Sequence, residues 1–208
     1  MKEAVPRKKV LIIQSVSKRY RAPFLDKLYR ALRREGIQLR VAHGMTYEGE
    51  NQKGDNVELS AEFGIKTKNY WFWGNKVLFQ PLFKKIAWAD LVIIEQANKY
   101  MMNHLLVPLS ILGLKKVAFW GHGRNRQTQK AGFSEWLKLQ TLNRVDWWFA
   151  YTRGTTEYLQ AHGVKPEKIT TVQNSVDTET LRKDLTAVTA QEVKLAKERL
   201  GMSTNPRV

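Results

Sequence analysis

The sequence predicts an α/β fold in which helices cover both faces of a parallel sheet. Short apolar runs of strand length alternate along the chain with longer segments whose apolar residues recur every three or four positions. Such alternation is typical of strands that are buried in a parallel sheet and joined by crossover helices. A hydrophobic content of 43% in 208 residues argues against disorder, and this length is enough for one domain.

The predicted elements follow in order from local signals. Pro23 suits the first turn of a helix and Gly36 ends it, while Thr152 caps a later helix that Gly163 stops. Residues 47–60 and 121–132 are expected to be loops. The expected strands are 10–14, 37–42, 65–70, 91–95, 116–120, 147–151 and 169–172. The expected helices are 24–35, 77–88, 103–112, 133–144, 155–162 and 190–200.

The most informative stretch covers residues 145–181. It consists of a predicted strand, a helix, a Gly163-Val164-Lys165-Pro166-Glu167-Lys168-Ile169 turn, another strand and the signature Asn174-Ser175-Val176-Asp177. This passage resembles the end of the N-terminal domain of family 4 glycosyltransferases of the GT-B fold, with Ser175 where that family usually has glycine. The resemblance implies a Rossmann-like parallel sheet with helices on both faces, the N-terminal half of GT-B.

The resemblance also implies a domain organisation and a function. Residues 1–185 would form a Rossmann-like acceptor-binding domain, residues 186–208 a helix and the start of an interdomain linker, and the C-terminal donor domain would be absent from this chain. The whole enzyme would be a retaining glycosyltransferase of polysaccharide or glycolipid biosynthesis, with a nucleotide sugar and a glycan or glycolipid acceptor as substrates. It would need no further cofactor, and residues 1–208 alone are expected to be inactive.

One candidate site follows the predicted strand 116–120. His122 lies between Gly121 and Gly123, and ligands of open α/β sheets bind beyond the carboxyl ends of strands. From the residues alone, His122 is either a locally bonded loop histidine or a ligand-facing one. The resemblance favours the second interpretation and implies that His122 faces the donor sugar as a catalytic group. Arg124 and Asn125 would then bind substrate, as would Asn174 in the signature.

A second candidate is the first strand–helix turn, residues 15–23. It contains no glycine, which argues against a cradled dinucleotide and against a dehydrogenase. Ser15, Lys18, Arg19 and Arg21 precede a helix N-terminus, where basic groups favour an anion. The turn is therefore either a substrate-binding loop, as the resemblance implies, or a solvated basic loop.

Composition limits the other possibilities. The chain has no cysteine and no histidine or carboxylate spacing typical of a metal site, so no metal is expected. A net charge of +16 predicts a polyanionic partner, and no pattern typical of an RNA-binding module is present, so nucleic acid is not expected. The alternative to an enzyme is a basic module that binds membrane or nucleic acid without catalysis. We expect the chain in the cytoplasm, free or peripheral at the inner face of the membrane.

Two segments could serve an anionic membrane surface. The helix 24–35 carries Lys27, Arg30, Arg33 and Arg34 opposite its leucine stripe, and this basic side is either solvated or lipid-facing. Residues 69–79 contain three successive aromatic side chains, Trp71, Phe72 and Trp73, which cannot all point inward from one strand. An exposed aromatic edge beside lysines is typical of a sugar-stacking or lipid-interface surface.

Overall fold

In the described part of the chain, the fold is built around one seven-stranded parallel sheet. The structure, a computed structural model, describes residues 8–45, 54–123, 139–173 and 176–202. The strands of the sheet are β1 Lys8–Val16, β2 Ile37–Gly44, β3 Gly64–Lys66, β6 Leu91–Glu95, β7 Lys116–Gly121, β8 Trp147–Ala150 and β9 Ile169–Thr171. A separate antiparallel hairpin consists of β4 Tyr70–Phe72 and β5 Val77–Phe79. The helices that lie wholly within the described residues are α1 Ala22–Arg34, α2 Phe83–Trp88, α3 Met101–Ile111, α4 Arg153–Ala161, α5 Thr178–Ala187 and α6 Ala190–Arg199.

The strand order determines where a cleft can form. The order is β3-β2-β1-β6-β7-β8-β9, and every neighbouring pair is parallel. The chain therefore builds outward from β1 in one direction and then, from β6, in the other. Such a reversal leaves a crevice at the carboxyl ends of the two central strands. This observation confirms the predicted Rossmann-like α/β fold and locates its switch point between β1 and β6.

Two apolar layers hold the sheet. Alternate residues of β1 face opposite sides, so Ile12 packs with Leu25 of α1 while Leu11 and Ile13 pack on the other face. Leu106 of α3 belongs to that second layer, together with residues of α2, α4 and the segment 139–145. The helices thus cover both faces, as predicted, and hold the strand ends in fixed positions.

Most predicted elements are present, but residues 65–88 differ from the prediction. The strand expected at 65–70 ends at Lys66, and the helix expected at 77–88 is a strand over Val77–Phe79 followed by a helix only from Phe83. The reason is a hairpin turn at Trp73, Gly74 and Asn75, all of which have positive φ. A Gly-Asn pair between apolar runs is a hairpin signal that outweighs the helical spacing.

The chain divides into two units after Ser175. In the second unit, α6 was predicted, and its Thr189–Glu192 capping box gives it a well-defined start. Helix α5 was not predicted, although Asp177 precedes it as a residue type that favours helix starts. The expected helix at 133–144 lies largely outside the described residues, and residues 139–142 are helical.

Candidate functional site

The carboxyl edge of the sheet brings the first strand–helix turn close to the ends of β7 and β8. Arg21, in the short 3-10 turn before α1, donates a hydrogen bond to the hydroxyl of Tyr151, which directly follows β8. Its guanidinium also lies 5.3 Å from the ring centre of Trp120 and 5.1 Å from that of Tyr151. A guanidinium packed on two aromatic rings is held in one orientation by cation–π attraction as well as by its hydrogen bond.

His122 joins this cluster from β7. Its ring meets Tyr151 edge-on, with ring centres 4.6 Å apart and planes at 73°. The histidine side chain is exposed, whereas Gly121 and Gly123 on either side of it are buried. Gly123 has a φ of +70°, and a Cβ there would come within 3.3 Å of both Leu159 and Tyr158 of α4. The left-handed glycine therefore lets the loop pass close to α4 while the imidazole remains at the surface.

Tyr151 is the centre of the cluster and stays protonated. Burial raises its pKa from 10 to about 12, against the opposing effect of the Arg21 charge. A neutral phenol can accept the Arg21 hydrogen bond and hold both Arg21 and His122 without carrying a charge of its own. Because the four residues of this cluster come from three separate segments, only the fold brings them together. We call Arg21, Trp120, His122 and Tyr151 the arginine–aromatic cluster.

A second polar group lies at the switch point itself. The Tyr100 hydroxyl is 3.0 Å from the Glu95 carboxylate, to which it donates, and 3.2 Å from Ser15 Oγ. Burial, and then the negative charge of Glu95, raise the pKa of Tyr100 well above its ordinary value. Tyr100 therefore stays protonated and links the end of β1 to the end of β6. Neither Tyr100 nor Glu95 was predicted as a site residue.

Three buried side chains beside this group have unsatisfied polar atoms. Within the described part of the chain, the side-chain polar atoms of Gln14, Ser17 and Gln96 find no hydrogen-bond partner, although each residue is at least nine-tenths buried. Buried polar atoms normally have partners, so water or ligand is expected near them. Gln96 also lines a cavity of about 180 Å³ together with Asn103, His104 and Phe119. The switch point is thus polar and incompletely satisfied.

The predicted site residues of the first strand–helix turn have different surroundings. Lys18 forms an ion pair of 2.8 Å with Asp55, and Arg19 is exposed, whereas Arg21 points to the arginine–aromatic cluster. Ser15 is half-buried and bound to Tyr100. Arg124, Asn125 and Asn174 lie outside the described residues.

No group of three or more His, Cys, Asp or Glu side chains among the described residues could hold a metal ion. No described helix has both the length and the apolar character that crossing a membrane requires.

Comparison with known proteins places the chain in a family. A family model for Glycosyltransferase Family 4 matches residues 22–180, most of the chain. This chain belongs to Glycosyltransferase Family 4. The match begins at the start of α1 and includes β8, α4 and β9, the passage from which the sequence resemblance was recognised. A search of curated proteins finds no match.

Solved structures agree with this family 4 chain in fold. It is similar to HepE (Alr3699) of Anabaena, solved in complex with UDP-glucose, at 13% identity and a TM-score of 0.55 over 96% of this chain and 51% of HepE. For HepE in complex with UDP and glucose, the identity is 14% and the TM-score is 0.54, over 94% of this chain and 50% of HepE. The chain therefore spans about half the length of these structures. At such identity the likeness supports the Rossmann-like GT-B half and nothing finer.

Proposed function

We propose that this family 4 chain is the acceptor-side domain of a retaining glycosyltransferase that transfers a sugar from a nucleotide-sugar donor. Family membership supports the reaction class, and the complexes of HepE with UDP and UDP-glucose support a nucleotide sugar as donor. The acceptor is a glycan or glycolipid of a polysaccharide or glycolipid pathway. A separate donor domain completes the cleft and supplies most of the nucleotide contacts.

The arginine–aromatic cluster is the observation that carries this proposal. It lies beyond the carboxyl ends of β7 and β8, where open α/β sheets bind their ligands. Its cation is oriented by Trp120 and Tyr151, and its imidazole is exposed. A preoriented guanidinium and a neighbouring imidazole can hydrogen-bond a sugar or phosphate oxygen without reorganising as charge develops.

In the proposed reaction the two polar groups have different roles. His122 donates a hydrogen bond to the donor sugar and stabilises charge near the reacting carbon, while Tyr151 fixes the position of its ring. Arg21 neutralises an anionic oxygen of the substrate at the mouth of the cleft. Ser15, Tyr100 and Glu95 at the switch point orient an acceptor hydroxyl by hydrogen bonds.

A pair of matched histidine variants tests the proposal in the full-length enzyme. His122→Ala should lower kcat with a nucleotide-sugar donor by about 100-fold, the scale of one lost transition-state donor. His162→Ala is the control, because His162 is also exposed but follows the other end of α4, away from the carboxyl edge. Equal rates for His122→Ala and wild type would remove His122 from the reaction. Unfolding of His122→Ala in circular dichroism would make it a packing residue.

A further inference from the structure

The segment between Glu62 and Asp90 is unusual in charge. These 27 residues contain no aspartate or glutamate, yet the chain as a whole has 19. The lysines of the segment are Lys66, Lys68, Lys76, Lys84 and Lys85. Among them, Lys66 forms an ion pair with Glu58, and no described acidic residue forms an ion pair with Lys76, Lys84 or Lys85. The segment therefore carries a local positive charge that no acidic residue within it offsets.

The hairpin in this segment divides its aromatic residues between two sides. Leu78 of β5 is buried and lies opposite Trp71, while Tyr70 and Phe72 on the alternate side are exposed. At the tip, Trp73 is 75% exposed, more than any other large hydrophobic residue that the structure describes. These rings leave apolar area exposed to water, and a contiguous exposed apolar patch is typical of a surface that binds another molecule.

The backbone conformation at the tip of the hairpin is unfavourable for a tryptophan. The φ of Trp73 is +50°, and the φ values of Gly74 and Asn75 are +62° and +65°. Glycine and asparagine adopt this left-handed region readily, whereas a bulky side chain there is uncommon and costs about 1 kcal/mol or more. The chain thus places one of its tryptophans at a strained, solvent-facing position, which folding alone would not favour.

The exposed rings continue from the hairpin to α2. Phe79 lies 6.2 Å from Tyr70 and 6.0 Å from Phe83, measured between ring centres, and Phe83 is itself more than half exposed. Beside Phe83 a groove of about 440 Å³ runs between β3 and α2, with apolar walls and lysine side chains along it. Its lining includes Ile65, Lys66, Pro81, Leu82, Lys84 and Lys85. Apolar and cationic groups therefore lie side by side along this groove.

We propose that this surface, the hairpin and the adjoining groove, docks on an anionic lipid bilayer. Exposed Trp, Tyr and Phe side chains next to lysines are the combination that suits the boundary between headgroups and acyl chains. The lysines are opposite in charge to the anionic headgroups, and the rings at the tip enter the boundary between headgroups and acyl chains. A carbohydrate would leave the lysines without a counter-charge, and an acidic protein would leave the Trp73 ring without an apolar partner.

The hairpin is tied directly to the carboxyl edge. Asn69 donates to the Ser15 carbonyl oxygen at 2.8 Å, and Gln80 donates to the Gln14 carbonyl oxygen at 3.1 Å. Docking would therefore bring the switch point close to the lipid surface. Helix α1, with its exposed Arg33 and Arg34, packs on the opposite face of the sheet and provides a matched control surface. The inference does not rest on the proposed reaction, since docking is measured without turnover.

Vesicle co-sedimentation of the full-length protein tests the proposal. The probes are phosphatidylcholine vesicles with and without phosphatidylglycerol, at low and high salt. Lys84→Gln with Lys85→Gln should weaken binding to the anionic vesicles by about 30-fold at low salt, since each lysine contributes about a fivefold factor. Trp73→Asn, which suits the left-handed backbone, should weaken binding about tenfold at both salt concentrations, because its contribution is apolar.

Control variants make the result decisive. Arg33→Gln with Arg34→Gln removes the same charge from α1, and Leu114→Asn removes an exposed apolar side chain from the loop after α3; both should bind nearly as wild type does. Equal losses in the hairpin and control variants would overturn the proposal, as would unchanged binding by the hairpin variants. The proposal would also be overturned if the wild-type protein did not bind anionic vesicles but formed a dimer through Trp73. A change of molecular mass in Trp73→Asn would reveal such a dimer. Thermal melts verify that each variant is folded.

Discussion

Arg21 and Tyr151 show how one residue pair supports the candidate site. The tyrosine hydroxyl accepts from the guanidinium, and its ring contacts both Arg21 and His122. Removing only the hydroxyl leaves the ring contacts in place but removes the hydrogen bond that helps to orient the guanidinium. Tyr151→Phe therefore separates the packing of the ring from the orientation of Arg21, two effects that most substitutions would change together.

Tyr151→Phe should consequently lower kcat in the full-length enzyme by about tenfold, the scale of one hydrogen bond to a charged group. Steady-state kinetics with a nucleotide-sugar donor measures the effect. Tyr29→Phe provides the control, since its hydroxyl accepts from Arg33 of α1 at 3.4 Å, outside the arginine–aromatic cluster. A rate for Tyr151→Phe equal to that of wild type would mean that the hydroxyl has no role in orienting Arg21.

The raised pKa of the same hydroxyl predicts that the free energy of unfolding falls at alkaline pH. Its pKa is raised from 10 in an exposed tyrosine to about 12 in the folded chain. The folded state therefore holds the proton more tightly, and this contribution is present below pH 10 and lost as pH rises toward 12. Urea unfolding between pH 9 and about 12 should show a smaller fall for Tyr151→Phe than for wild type. An equal fall in the free energy of unfolding for both proteins would contradict the assignment of this pH dependence to Tyr151.

The positions of single residues could be predicted from the sequence only in part. The position of His122 at a strand end was predictable because the local sequence shows both the strand and the two flanking glycines. The partners of His122 were not, because Arg21 and Tyr151 are 130 residues apart and nothing local links them. The ion pair of Lys18 with Asp55 was not predictable either, because the two residues are 37 positions apart and no local pattern links them.

At the scale of elements, Asp146 connects the start of β8 to β7 and to α3. Its carboxylate accepts from Ser110 of α3 at 2.8 Å, from Lys116 at 2.8 Å and from the backbone of Val117 at 3.0 Å. Burial acts to raise its pKa, but the three hydrogen bonds together outweigh burial and leave the pKa below 3.8. The residue thus fixes the start of β8 against β7 and the end of α3.

Asp146→Ala should lower the free energy of unfolding by about 1–3 kcal/mol at pH 7, because it leaves part-buried donors unpaired. The lowered pKa means that this stabilisation is present above about pH 4 and is lost as pH falls through the folded-state value. Urea unfolding at pH 7 and about pH 3 measures both effects. Asp184→Ala, on the exposed side of α5, should change neither. A difference between wild type and Asp146→Ala that persists undiminished at acid pH would contradict the role.

The elements themselves were predictable where they are long or buried. Strands β1, β2, β6 and β7 are apolar runs between clear turn signals, so their positions follow from the pattern. The hairpin was missed because its strands have three residues each, too few for a period to be recognised. Helix α5 was missed because its leucines are exposed and form no buried stripe.

At the scale of the whole molecule, the carboxyl edge is one wall of the proposed cleft. A substrate held by one wall loses positioning, and the contribution of positioning to lowering a barrier can reach ~7–11 kcal/mol. Residues 1–208 alone should therefore show no transfer from UDP- or GDP-sugars in a radiolabel assay, with the full-length enzyme as the positive control. Measurable transfer by residues 1–208 would contradict the two-domain interpretation.

The two outermost strands of the sheet have a consequence for self-association. Strands β3 and β9 have three residues each, whereas the central β1 has nine. An outer strand exposes unpaired N–H and C=O groups that can template strand addition by another chain, and very short outer strands limit how many such bonds can form. Concentrated solutions of this chain should accordingly resist amyloid-like growth, even though its interior strands are rich in valine and isoleucine.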